Sequence, residues 1–155
     1  MTDEQKIAFK DSLKKTCISL ISERIEKAKE LMKEVQQAAN GEQKSSAGDK
    51  YETSRAMAHL EKDMNARQLA ENLKELARLH SVETGTLYTR CQQGSYLETP
   101  SACFFIGCGL GRVRIGEKMV FMLSPQAPLA RSLMEKESGH RFVFQAMDLV
   151  ITDIF

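Results

Sequence analysis

The chain has 155 residues, 42% of them hydrophobic and 28% charged, a length that fits one ordinary domain or two small ones. Its 22 Lys and Arg against 21 Asp and Glu leave a formal charge of +1, too even a balance for tight binding to free DNA, which needs a basic surface that releases counterions. No run approaches the ~18 consecutive apolar residues of a membrane span, residues 1–15 hold no apolar stretch of signal-peptide length, and Cys17, Cys91, Cys103 and Cys108 show no paired spacing, so a soluble cytoplasmic protein with free thiols is expected.

Residues 2–40 read as one long helix. Ile21, Ile25, Ala28, Met32, Val35 and Ala39 alternate in steps of four and three, which predicts the seam of a coiled coil. Leu13, Cys17 and Ile18 extend that face less regularly. Residues 41–48 (GEQKSSAG) are small and polar and lie between two glycines, which predicts a turn. A second helix follows to about residue 80, carrying Met57, Leu60 and Met64 and then Leu69, Leu73 and Leu76, with a slip of register between Met64 and Leu69. Met32, Met57, Met64, Met119 and Met122 are expected to fill the seam and the core rather than to form a promiscuous groove. Two helices joined by a short loop predict an antiparallel hairpin, expected to project from a globular base because it buries only a narrow seam.

From Val82 onward glycines and β-formers appear, and all three prolines lie in this part. Strands are predicted over 85–91, 96–98, 103–106, 113–115, 118–123, 141–145 and 149–155. A short helix is predicted over 128–136, with Pro128 in its first turn and Gly139 past its end. The fold class is therefore α+β, with a helical hairpin over residues 1–81 and a small sheet domain over 82–155.

Candidate chemistry gathers at Gly48-Asp49-Lys50-Tyr51-Glu52, where two carboxylates three positions apart follow the turn. The pair matches a capping box, which would satisfy free N–H groups of the second helix and complement its dipole. Charge at such an exposed tip is badly placed to stabilise the chain's own core and well placed to be delivered into a partner. Gly107-Cys108-Gly109-Leu110-Gly111 is expected to be a turn rather than a nucleotide loop, because a strand and not a helix follows it. His59, His80 and His140 share no ligand spacing with the cysteines.

The tip segment and the stretch Ser124-Pro125-Gln126-Ala127-Pro128-Leu129-Ala130-Arg131-Ser132-Leu133, continued by Lys136 to Gly139, resemble two motifs of the GreA/GreB-type transcript-cleavage factors. The resemblance implies a coiled-coil hairpin followed by an FKBP-like antiparallel sheet domain, in a bacterial cytoplasmic elongation factor. It further implies docking of that domain on the rim helices of RNA polymerase, with Ser124, Pro125, Pro128 and Leu129 as docking candidates. The hairpin tip would enter the secondary channel, where Asp49 and Glu52 would help hold an Mg²⁺ shared with the polymerase and so stimulate cleavage of backtracked RNA. Lys44, Lys50 and Arg55 would contact the nascent RNA 3′ end. The polymerase would supply the hydrolytic activity, so the chain itself would be no enzyme, and it would act as a monomer.

The chain departs from the family pattern at Thr53-Ser54-Arg55-Ala56, where a basic residue replaces a further acid, and at Glu135 and His140. Two other readings follow. One is a secondary-channel regulator that inhibits or competes without stimulating cleavage. The other, of a different class, is a coiled-coil adaptor or holdase, which the polar tip disfavours.

Overall fold

The computed structural model describes residues 1–42 and 48–155. Most of the turn expected over 41–48, with Lys44, lies outside the described residues, as do the side chains of Ala39, Glu42 and residues 48–51. The fold is α+β: a long helical region followed by a small mixed sheet. In chain order it comprises α1 (Asp3–Glu42), α2 (Gly48–His80), β1 (Tyr96–Glu98), β2 (Cys103–Ile106), β3 (Gly111–Ile115), β4 (Lys118–Leu123), α3 (Pro128–Leu133), β5 (Arg141–Phe144), β6 (Met147–Val150) and β7 (Asp153–Ile154). The chain divides into two compact units, one of Met1–Ser19 with Glu75–Phe155 and one of Leu20–Lys74. None of the described helices is long and apolar enough to cross a membrane.

The first unit is built on a five-stranded sheet of order β3-β4-β2-β1-β7, beside a separate β5–β6 hairpin. The antiparallel sheet implied by the family resemblance is in fact mixed, because β2 and β4 pair in parallel, Cys103 with Val120 through Ile106 with Leu123. Chain routing explains this. The glycine-rich loop after β2 carries the chain past one strand position, and the turn at Gly116 (φ +59°) folds β4 back into the vacant position beside β2. Leu97, Phe104, Ile106, Ala130, Leu133 and Ile154 are buried together, with Phe121, Phe142 and Phe144 packed around them. The Phe104 ring stacks on Phe121 at 5.6 Å and meets Phe144 edge-on at 5.1 Å, a geometry that favours the ring quadrupoles.

The start of α1 belongs to this unit. Thr2 and Gln5 cap it reciprocally, Gln5 N–H donating to Thr2 Oγ1 at 3.2 Å and Thr2 N–H to Gln5 Oε1 at 2.9 Å. Phe9 packs edge-on against Tyr96 at 4.9 Å, and Lys6 pairs with Asp153 at 2.8 Å. Lys14 Nζ donates to the carbonyls of His80 (3.1 Å) and Val82 (2.8 Å), closing the C-terminal end of α2.

Three sequence expectations change here. Residues 85–91 form no strand beyond the single Arg90–Glu137 bridge. Their polar groups are taken elsewhere: Thr86 O accepts from Lys10 Nζ, while Cys91 exchanges backbone bonds with Glu135 and Lys136. Helix α3 stops at Leu133 rather than 136, because Glu135 is left-handed (φ +63°) and its N–H donates to Cys91 O. The strand expected over 149–155 is split, because Ile151 and Thr152 donate to His140 and Glu98 between β6 and β7.

In the second unit, Ile21, Ile25 and Ala28 of α1 are buried as expected, and Met32 and Val35 half-buried. The inward face of α2 differs from expectation. Met57, Leu60, Met64 and Leu73 are exposed, and among the described side chains Ser54, Ala58, Asn65, Leu69 and Asn72 are the half-buried positions. A seven-residue line runs back from Asn72 through Asn65 to Ala58, and Met64 and Met57 fall one position outside it. Lys62 Nζ donates to Gln36 Oε1 at 3.1 Å across the two helices.

Candidate functional site

Gly48 begins α2, so the backbones of Asp49 and Lys50 lie in its first turn and Glu52 follows in the next. The Glu52 and Arg55 side chains are exposed, three positions apart on the helix. Thr53 is exposed and Ser54 half-buried. Among the described residues, no group of three or more His, Cys, Asp and Glu side chains gathers where a metal ion could be held. Because α2 starts at Gly48, Asp49 lies inside the helix rather than at the position before it, so the expected capping-box register is not met. Acidic residues in these first turns complement the positive end of the helix dipole.

The second set of sequence candidates lies in the first unit. Ser124 Oγ accepts from Arg78 Nη1 at 3.0 Å and from Gln126 N–H at 3.3 Å, and Ala127 N–H donates to Ser124 O at 2.9 Å. This compact turn delivers the chain into α3. Pro128 is exposed at the first position of α3, Pro125 is half-buried, and Leu129 is packed against the core. The Ser124 hydroxyl is thus engaged within the fold, and Pro128 is the member of the set most open to solvent.

Several groups of chemical interest gave no sequence signal. Lys10 is fully buried, its ammonium donating to Thr86 O at 2.7 Å and lying 4.6 Å from the centre of the Tyr88 ring. Burial lowers its pKa from 10.5 to about 8. Cys17 and Cys108 are buried together. The hydrogen bond between them lowers Cys17 and, with burial, raises Cys108. Burial raises Cys91 to about 12, with the nearby Glu135 charge adding to the shift. Tyr96 is raised as well, first by burial and then by the Cys103 thiol beside its hydroxyl. A lysine at a helical position looks solvated in sequence, and only the packing of residues 86–88 over α1 reveals Lys10. The expectation that the glycine-rich loop is a turn holds, and its Gly109 N–H donates to Glu75 Oε2 at 3.1 Å.

The second unit carries a groove of about 400 Å³ between α1 and α2, whose charged lining residues among those described are Glu34 and Glu61. Compared with protein-family models, curated proteins and solved structures, the chain matches none of them.

Proposed function

We propose that this chain is a bacterial secondary-channel factor of the transcript-cleavage type. Its sheet domain, read as FKBP-like, docks on RNA polymerase, and its coiled-coil hairpin carries the Asp49–Glu52 segment into the channel. The observation that carries the reading is Glu52, an exposed carboxylate three positions after Asp49, directly following the connection between helices of 40 and 33 residues. Paired long helices and a small mixed sheet with one short helix are compatible with that architecture.

Two oxygen donors suit a hard cation that completes its shell with water and phosphate oxygens. Asp49 and Glu52 would hold an Mg²⁺ jointly with the polymerase, and the ion would assist water activation and leaving-group stabilisation in phosphodiester hydrolysis. Lys44, Lys50 and Arg55 would steady the RNA 3′ end electrostatically. Pro128, exposed at the start of α3, is the first docking residue to substitute.

Arg55 favours a second reading. It is exposed one turn after Glu52, where its positive charge opposes cation capture and would leave a factor that occupies the channel without promoting cleavage. Purified bacterial polymerase stalled on a backtracked transcript separates the two. Faster transcript cleavage, lost in Asp49→Ala/Glu52→Ala with binding retained, is the expected result. Binding without acceleration supports the inhibitory reading, and absence of binding overturns both.

A further inference from the structure

We infer that the second unit pairs with a second copy of itself, α1 lying antiparallel on α1 of the other copy and centred on Leu31. This departs from the monomer expected from the sequence, and it does not rest on the polymerase reading.

The groove between the helices sets the requirement. Val35, Ala38, Met57 and Ala58 give it apolar walls, and the charged residues among its described lining are both carboxylates, Glu34 and Glu61. Such a lining calls for a cationic group on an apolar stem, the chemistry of Lys and Arg side chains. The apolar surface continues past the groove. Leu31 lies one turn before Glu34 on α1 and is 48% exposed, and Met64 lies one turn after Glu61 on α2 and is 61% exposed.

The matching cations are on the same face of the same helix. Arg24, Lys27, Leu31, Glu34 and Ala38 follow one another in steps of three, four, three and four, so they form a single stripe: basic, apolar, acidic, small. Turned end for end about Leu31, this stripe complements itself. Lys27 of each copy comes opposite Glu34 of the other, and Arg24 comes opposite Ala38, over the groove. Lys27 and Glu34 are seven residues apart, about 10 Å along the axis, so both pairings form at once in an isologous arrangement. Arg24, Lys27, Glu34 and Glu61 are all exposed, and none joins an ion pair among the described residues, so no internal partner has to be given up.

Sedimentation equilibrium of the full chain, from about 5 to about 500 µM, tests this directly. The expected result is a dimer at the upper concentrations, weakened by about 0.5 M salt. Arg24→Glu/Lys27→Glu makes the stripe wholly acidic, and Glu34→Lys/Glu61→Lys makes it basic. Each variant alone should dimerise at least about tenfold more weakly, and an equimolar mixture should restore the dimer, acidic stripe against basic stripe. Rescue on mixing excludes misfolding as the cause of the loss, and helicity by circular dichroism checks each variant separately. A chain monomeric throughout overturns the inference and leaves the groove to a basic segment of another protein. A dimer indifferent to both variants, or helical variants that fail to pair when mixed, overturns it as well.

Discussion

In the first unit, Tyr96, Phe104, Phe105 and Phe155 are sealed to 1% exposure or less, whereas in the second Leu31, Met57, Leu60 and Met64 keep 48–61% of their surface. The difference follows from geometry. A sheet with helices and a hairpin around it closes its apolar side chains from several directions, but two helices bury only the line along which they touch. In the first unit a side chain is held by many neighbours at once. In the second it is held by one seam, and the seam tolerates Ser54, Asn65 and Asn72 at inward positions.

The sharpest test of that contrast is Phe104→Ala, which should cost about 3–5 kcal/mol in urea unfolding because three other rings lose their partner. Ile25→Ala in the second unit should cost less, about 2 kcal/mol, since its neighbours can close over the gap. Equal losses would break the comparison. Asn72→Leu should gain about 1 kcal/mol, because the Asn72 Nδ2 amide is buried without a hydrogen-bond partner among the described residues. Hydrogen exchange along α2 should slow in that variant, and a loss of stability would show that the amide serves the seam.

Lys10 gives an effect confined to a pH window. Its folded pKa, about 8, lies below the unfolded value of 10.5, so the unfolded chain binds more protons between them. Stability contributed by this group therefore rises as pH increases from about 8 to 10.5. Lys10→Met should remove that rise, so its stability relative to wild type falls across the same window in paired thermal melts. Parallel curves would show that the ammonium is not desolvated. The smallest effect is expected at Glu52→Ala, within about 0.5 kcal/mol, because the side chain is exposed. A large loss would mark Glu52 as a support of the helix start and weaken its role as a ligand.

Helix α1 was legible in the sequence because Ile21, Ile25 and Ala28 keep a strict four-three spacing and are all buried. The inward face of α2 was not. Met57, Leu60 and Met64 imitate the same spacing one position away from the true register, and hydropathy alone cannot rank an exposed methionine below a half-buried asparagine. The strands of β1 to β4 were legible through β-branched and aromatic runs. The parallel pairing of β2 with β4 was not, because it depends on where a glycine-rich loop sends the chain. At the candidate site, the Asp49–Glu52 spacing and its place at the start of α2 could be read directly. The burial of Lys10 and the Cys17–Cys108 contact could not, since both join residues distant in sequence.

The unit Leu20–Lys74 is one uninterrupted stretch, left from Ser19 and rejoined at Glu75. Its length can therefore be changed without cutting any strand of the sheet. Deleting seven residues from each helix would return both to nearly the same rotational phase, drifting only ~20°. Deleting three from one helix alone would turn every later side chain to a different side. Viable relatives with a shorter or longer pair of helices should then differ in discrete increments of about 10 Å, like the marks on a ruler.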